Sequence, residues 1–266
     1  MTTRTPFSQL TPEQIAFYRD NGYLVLDCLT TGEEIARMRA AYDDIFARKA
    51  GREEGLQFDL AGNEENGTDS LPQILEPLKR HKDLQNTLFE KNALAVARQL
   101  LGPRADIMGS HAIFKPSGGP PTPWHQDIAY WDVTHDHNAV SVWMPLQEAT
   151  VENGCMWFVP GSHKGAILRH GHINDDPRIE GLRLLPGEAD ISGTVACPLS
   201  AGGATFHDGR TLHFTGANRS KTDRRALAVI FETPSVPLAV PRDFPWLREK
   251  QTARMARKAA FNERGA

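Results

Sequence analysis

The sequence predicts a mainly β fold, an antiparallel sandwich or barrel with N-terminal helices covering its edge. Three observations carry this expectation. Up to residue 101 apolar residues recur at helical spacing behind capping residues; beyond residue 104 they come in short runs; and Gly- and Pro-rich turns separate those runs.

The helices come first. Thr11-Pro12-Glu13-Gln14 has capping-box spacing with proline at the first helical position, Ile15, Phe17 and Tyr18 follow, and Asn21-Gly22 ends the element. Tyr23 to Leu26 reads as a short strand. Thr31-Gly32-Glu33-Glu34 is a second capping box, opening a helix with Ile35, Met38, Tyr42, Ile45 and Phe46 on one face. Residues 50–75 are polar and Gly-rich and read as a mobile loop. A third helix is expected from Asp83 to Leu101, stopped by Gly102-Pro103.

The strand candidates are Ile107–Phe114, Ala139–Leu146, Met156–Val159, Thr194–Cys197, Ala204–Phe206 and Leu227–Phe231. The turns between them include residues 116–121, Glu152-Asn153-Gly154, Pro160-Gly161-Ser162 and Ala201-Gly202-Gly203. Trp246 to Phe261 returns to a helical, basic pattern. With no internal repeat, low-complexity tract or linker, the expectation is one domain over residues 1–266.

Composition narrows the function classes. Of 266 residues, 40% are hydrophobic and 24% charged, as in soluble globular proteins. A chain this long buries most of its apolar surface without disulfides or a structural metal, so a metal site in it serves function. The net charge of -3, without a Lys/Arg cluster, argues against nucleic acid as partner. Cys28, Cys155 and Cys197 form neither a disulfide framework nor a CxxC site and read as reduced thiols. No signal-peptide core and no apolar stretch of about 20 residues is present, so the expectation is a cytoplasmic protein without a membrane partner. Nothing in the sequence bears on oligomeric state.

The chemistry is sought among histidines and carboxylates. A redox metal that must keep one face open takes two imidazoles and one carboxylate on the other. In a strand, residues i and i+2 point the same way, so a His-x-Asp triplet at a strand end supplies two ligands at once. Three triplets approach that pattern. His81-Lys82-Asp83 precedes a helix, where Asp83 reads as an N-cap. His135-Asp136-His137 lies in a polar stretch that reads as an exposed turn. His125-Gln126-Asp127 follows a Gly/Pro-rich loop and Trp124, and precedes Ile128, Ala129, Tyr130 and Trp131, which favours it. His207 and His213, flanking the Asp208-Gly209 turn, are both open as the third ligand. His170 and His172 fall in a long polar loop and read as solvated.

Four segments carry a resemblance to a known family: "LTPEQIAFYRDNGYLVLDCLTTGEEIARMRAAYDDI", "WHQDIAYW", "VWMPLQEATVENGCMWFVPGSHKG" and "ATFHDGRTLHFTGANRSKTDRRALAVIFE". In that order they resemble the phytanoyl-CoA dioxygenase family of iron(II)- and 2-oxoglutarate-dependent oxygenases, over nearly the whole chain. The resemblance implies a double-stranded β-helix (a jelly-roll, cupin-like barrel) with the metal near its open end. It implies His125, Asp127 and His213 as ligands of Fe(II), with His213 chosen over His207 by the motif running on to Gly216, Asn218 and Arg224. It further implies 2-oxoglutarate as cosubstrate, anchored by Arg224, with O2 as oxidant and a small molecule as substrate.

Around that anchor, Thr215 shares the inward face with His213, Trp143 matches a cosubstrate-proximal tryptophan, and Gln126 either lines the site or faces outward. A one-residue slip would exchange Arg224 with Arg225. Related halogenases replace the carboxylate ligand with a small residue; Asp127 therefore favours hydroxylation or another oxidation over halogenation. Two other readings use the same residues: a non-catalytic jelly-roll protein binding a metal or ligand, and a zinc hydrolase. Neither needs Arg224. Substrate contacts are expected from residues 50–75 and 163–192. Lys164, Arg169, His170, His172 and Arg178 there suit an anionic or polar substrate, whereas Tyr130 and Trp131 suit an apolar pocket.

Overall fold

The computed structural model describes residues 5–65 and 69–265. In chain order the elements are α1 (Pro12–Asn21), β1 (Tyr23–Leu26), α2 (Gly32–Ala47), β2 (Gln57–Asp59), β3 (Pro72–Leu75), α3 (Leu88–Leu101), β4 (Asp106–Lys115), β5 (Thr122–His125), β6 (His135–Asp136), β7 (Ala139–Pro145), β8 (Met156–Phe158), β9 (His170–His172), β10 (Leu182–Leu184), β11 (Val195–Cys197), β12 (Ala204–Asp208), β13 (His213–Thr215), β14 (Arg224–Glu232), β15 (Val236–Pro237), α4 (Pro245–Arg248) and α5 (Ala253–Gly265). Seven strands form the larger sheet, ordered β1-β12-β7-β14-β4-β3-β2, and four the smaller, ordered β11-β8-β13-β5. All pairs are antiparallel, and the two sheets enclose a common interior as a double-stranded β-helix. The six apolar runs read from the sequence lie in β4, β7, β8, β11, β12 and β14.

Alternation along the larger sheet separates two environments. Val142 and Met144 of β7, Phe206 of β12, and Leu227, Val229 and Phe231 of β14 face a core shared with Tyr18, Met38, Tyr42, Phe89 and Val96 of the helices. The residues between them face the interior. Register stacks these in rungs: Arg224 opposite Lys115, Ala226 opposite Ile113, Ala228 between His111 and Trp143, and Ser141 between Ile230 and His207.

Helix α1 closes its capping box: Thr11 Oγ1 accepts the Gln14 N–H at 3.2 Å, and the Gln14 side chain accepts the Thr11 N–H at 2.9 Å. Gly22 ends it at φ 77°, a conformation glycine takes without steric penalty. The second box closes only halfway. Thr31 Oγ1 accepts the Glu34 N–H at 3.2 Å, but the buried Glu34 carboxylate accepts instead from Leu88 N–H at 2.8 Å and Phe89 N–H at 3.0 Å. It thereby places negative charge at the start of α3, where the helix dipole is positive.

Helix α3 begins at Leu88, not Asp83, because Thr87 accepts from the Glu90 N–H at 3.1 Å and Asn86, at φ 54°, interrupts any earlier helix. The His81 ring, not Asp83, caps the preceding 3-10 turn, accepting the Asp83 N–H at 3.2 Å.

Three further expectations change. Residues 50–75 read as a mobile loop, yet they supply β2 and β3 at the edge of the larger sheet, with residues 66–68 outside the described set. The Asp59 carboxylate knits the connection, accepting N–H groups of Ala61, Ser70 and Leu71 at 3.1, 2.7 and 2.8 Å. His135-Asp136 pairs with Val236-Pro237 instead of forming a free turn. The C-terminal helical stretch breaks after Arg248 and resumes at Ala253. Among the described residues no helix is long and apolar enough to cross a membrane.

Removing the Glu34 carboxylate strands two buried N–H groups, so Glu34→Ala is expected to destabilise the fold by about 2 kcal/mol. The urea unfolding midpoint checks this, with the exposed neighbour variant Glu33→Ala leaving the midpoint in place.

Candidate metal centre

In the smaller sheet β13 lies beside β5 with His213 directly opposite His125, their ring centroids 4.1 Å apart. Asp127 does not continue β5. It opens a 3-10 turn to Tyr130 that carries its carboxylate back toward the two rings, held by the Ile128 N–H donating to the Gly209 carbonyl at 2.9 Å. Asp127 Oδ1 is 3.6 Å from His125 Nε2 and 3.4 Å from His213 Nε2. One ligand atom from each of the three residues lies within 4.8 Å of the others.

The backbone sets the tautomers. His125 Nδ1–H donates to the Pro123 carbonyl at 2.8 Å, and His213 Nδ1–H to the Thr211 carbonyl at 2.9 Å. A carbonyl can only accept, so each Nε2 keeps its lone pair for the centre. The other carboxylate oxygen is engaged: Asp127 Oδ2 accepts the Ser141 hydroxyl at 2.5 Å and His207 Nε2–H at 3.2 Å. His207 thus orients the carboxylate from the larger sheet. Burial pushes the Asp127 carboxyl up, but the surrounding His213, His125 and His207 outweigh it and hold it well below the usual carboxylate range. Burial, reinforced by His213, lowers His125 below the usual imidazole range. An ionised carboxylate beside two imidazole Nε2 atoms is a donor set suited to a divalent transition metal. In the other two triplets, His81 caps a turn, Asp136 pairs with Arg210 at 2.9 Å and with Arg242, and His137 contacts Glu232 at 2.5 Å.

At the first residue of β14, Arg224 is 1% exposed, and its Nε, Nη1 and Nη2 all lack a hydrogen-bond partner among the described residues. Its guanidinium stands over the Trp143 ring at 5.3 Å. Burial pushes its pKa down to about 10, which leaves it charged at neutral pH. Arg225 points the other way, to Asp43 at 2.6 Å, so the strand register gives the inward place to Arg224.

Lys115, opposite Arg224 and missed in the sequence, is fully buried and donates to Thr215 Oγ1 at 2.9 Å and to the Gly216 carbonyl at 2.6 Å. With its oxygen accepting from Lys115, the Thr215 hydroxyl keeps its own hydrogen to donate. The available signal was parity, since Lys115 shares its strand face with His111 and Ile113.

Of the two places expected for Gln126, its hydrogen bonds favour the one turned away from the site: its Nε2 donates to the Arg210 carbonyl at 2.7 Å and its Oε1 accepts the Leu168 N–H at 2.8 Å, so its amide ties the end of β5 to neighbouring loops. His170 and His172 are buried in β9, not solvated. His170 Nε2 accepts the Gln126 N–H at 3.2 Å, and burial pushes its pKa down to about 4.

A cavity of ≈ 320 Å³ opens beside His125, Asp127 and His213, walled by Trp143, Tyr130, Trp131 and His111, and by Phe58, Leu60, Gln73 and Leu75 of the 50–75 segment. Of the 163–192 segment, Glu180 reaches that wall.

The family model for phytanoyl-CoA dioxygenase (PhyH) matches residues 18–226. The crystal structure of EvdO2 from Micromonospora carbonacea var. aurantiaca aligns with a TM-score of 0.78 at 36% identity, covering 91% of this chain and 99% of that one. Its complex with 2-oxoglutarate aligns with a TM-score of 0.75 at 34% identity, over 90% and 97%. A probable alpha-ketoglutarate-dependent hypophosphite dioxygenase of Stutzerimonas stutzeri is 28% identical over 222 residues, 82% of this chain and 77% of its own. The peroxisomal phytanoyl-CoA dioxygenase of Homo sapiens is 26% identical over 235 residues, 84% and 68% respectively. With its family motif, its fold and its His-Asp-His cluster in agreement, the chain belongs to the phytanoyl-CoA dioxygenase family and is an iron(II)- and 2-oxoglutarate-dependent dioxygenase.

Proposed function

We propose that His125, Asp127 and His213 hold the iron(II), that Arg224 with Thr215 and Trp143 receives the far carboxylate of 2-oxoglutarate, and that the enzyme hydroxylates an unactivated C–H bond of a small molecule. The products besides the alcohol are succinate and carbon dioxide. The observation that carries this reading is the buried guanidinium of Arg224, with no partner on any of its three nitrogens among the described residues. A desolvated cation of this kind is strongly unfavourable without an anion. A carboxylate matches its fork with two parallel charge-assisted hydrogen bonds. The 2-oxoglutarate complex of EvdO2 supports the same ligand here.

When bound, iron(II) supplies the redox chemistry that couples dioxygen to oxidation of cosubstrate and substrate. The chain's own residues do the rest. Ser141 and His207 keep Asp127 Oδ2, so the carboxylate offers Oδ1 alone and three protein atoms occupy one side of the centre. Thr215 donates its hydroxyl hydrogen to the carboxylate at Arg224. Trp143 covers that ion pair and keeps water from it, which strengthens the attraction. Tyr130, Trp131 and Phe58 wall the substrate side.

Arg224→Ala is expected to raise the half-saturating concentration of 2-oxoglutarate about 100-fold, corresponding to two lost charge-assisted hydrogen bonds. Arg225→Ala should leave it unchanged; titration followed by succinate release reads both, and an unaltered Arg224→Ala would sink the anchor assignment. His207→Leu leaves the three ligand atoms in place but removes one of the two donors that hold Asp127 Oδ2. Iron(II) affinity should then fall about 10- to 100-fold in an anaerobic metal titration.

A further inference from the structure

Two cations reach the cavity wall from the C-terminal segment. Lys250 lies between α4 and α5, Arg254 sits in the first turn of α5, and both line the cavity together with Glu180. The buried Glu180 carboxylate accepts from Lys250 Nζ at 3.1 Å, from Arg254 Nη1 at 3.4 Å and from the Thr252 hydroxyl. Burial pushes its carboxyl up, but Lys250 and Arg254 prevail and hold it below the usual range, so it stays ionised. Arg254 Nε donates to the Gly55 carbonyl at 2.8 Å, and its Nη2 has no protein acceptor among the described residues.

The charge count decides what this wall attracts. Two cations against one carboxylate leave a net positive charge beside aromatic faces, with Lys250 over the Tyr130 ring at 5.3 Å and Arg254 over Phe58 at 4.9 Å. The cations of the 163–192 segment are engaged elsewhere: Arg169 with Glu188, Arg178 with Asp176 and Glu65, and Lys164 with Asp20. The Tyr130 ring that Lys250 covers also meets the His125 ring edge-on at 5.8 Å, so the cationic wall is one aromatic ring away from the metal ligands.

We propose that Lys250 and Arg254 bind an oxyanion of the substrate, a carboxylate or phosphoryl group, and so select small acids for oxidation at a carbon close to that anion. The inference rests on the oxygenase reading for what happens to the substrate, while anion binding itself stands apart from it. The paired Glu180 keeps the two cations in place; Lys250 and Arg254, the latter with Nη2 unpartnered among the described residues, line the cavity that takes the ligand.

The test uses the full chain, loaded anaerobically with iron(II) and saturated with 2-oxoglutarate so that Arg224 is occupied. Inorganic phosphate and, separately, acetate are titrated in, against sodium chloride at equal ionic strength, and the melting midpoint is read. A saturable rise beyond the chloride control is expected, and the stronger of the two arms assigns the phosphoryl or the carboxylate class. Half-saturation should weaken about tenfold in Arg254→Gln and in Lys250→Gln, and tighten in Glu180→Gln. The Lys250 and Glu180 variants decide the matter if Arg254→Gln does not fold. A chloride response equal to both oxyanions, or variants indistinguishable from wild type, overturns the proposal. If 2-oxoglutarate alone fails to raise the midpoint while phosphate still does, the oxygenase reading falls and the anion site remains.

Discussion

A guanidinium buried to 1% exposure without an acceptor is among the least favourable groups a fold can hold, and β14 is built so that the rest of the molecule holds it there. One face of that strand puts Leu227, Val229 and Phe231 into the core beneath the helices; the other lines up Arg224, Ala226, Ala228 and Ile230 toward the interior. A slip of one residue would drive Arg224 into the apolar core and Phe231 into the cavity. Pairing with β4 on one side and β7 on the other forbids that slip.

The two sheets divide the work. The smaller one brings His125 and His213 together as a cross-strand pair, with backbone carbonyls choosing the tautomer of each. The larger one braces, with Ser141 and His207 on neighbouring strands pinning the second oxygen of Asp127. Because those contacts come from different sheets, the geometry of the centre depends on closure of the whole β-helix. Strands β2 and β3 and the C-terminal segment then wall the cavity, Arg254 lying over Phe58 and bonded to the Gly55 carbonyl.

Much of this arrangement was legible in the sequence, for reasons that also explain the misses. Long apolar runs such as Ala139–Leu146 announce strands, whereas β5 (Thr-Pro-Trp-His) and β13 (His-Phe-Thr) carry site residues in place of apolar ones and give no strand signal. His207 and His213 flank one turn and are separated in the sequence by the family motif alone, while the task of His207 shows only in its approach to Asp127 Oδ2. Glu34 satisfies a capping-box pattern and caps a different helix, because a buried carboxylate goes to the unpaired helix-start N–H groups nearest in space, not to the nearest in sequence. Lys115, Lys250 and Arg254 escaped notice because a cation at a strand end or on a helix reads as a solvated one. The polar 50–75 stretch read as a loop because its order comes from the Asp59 carboxylate, a contact that leaves no periodic trace.

The central claim is that three side chains on one side of the centre leave the other side to chelating 2-oxoglutarate. Anaerobic addition of 2-oxoglutarate to the iron(II)-loaded protein reads this directly, as a weak visible charge-transfer absorption. The account predicts that the band rises to saturation in the wild type and vanishes in Asp127→Ala. A wild-type protein without the band, or an Asp127→Ala protein with the band undiminished, would contradict it.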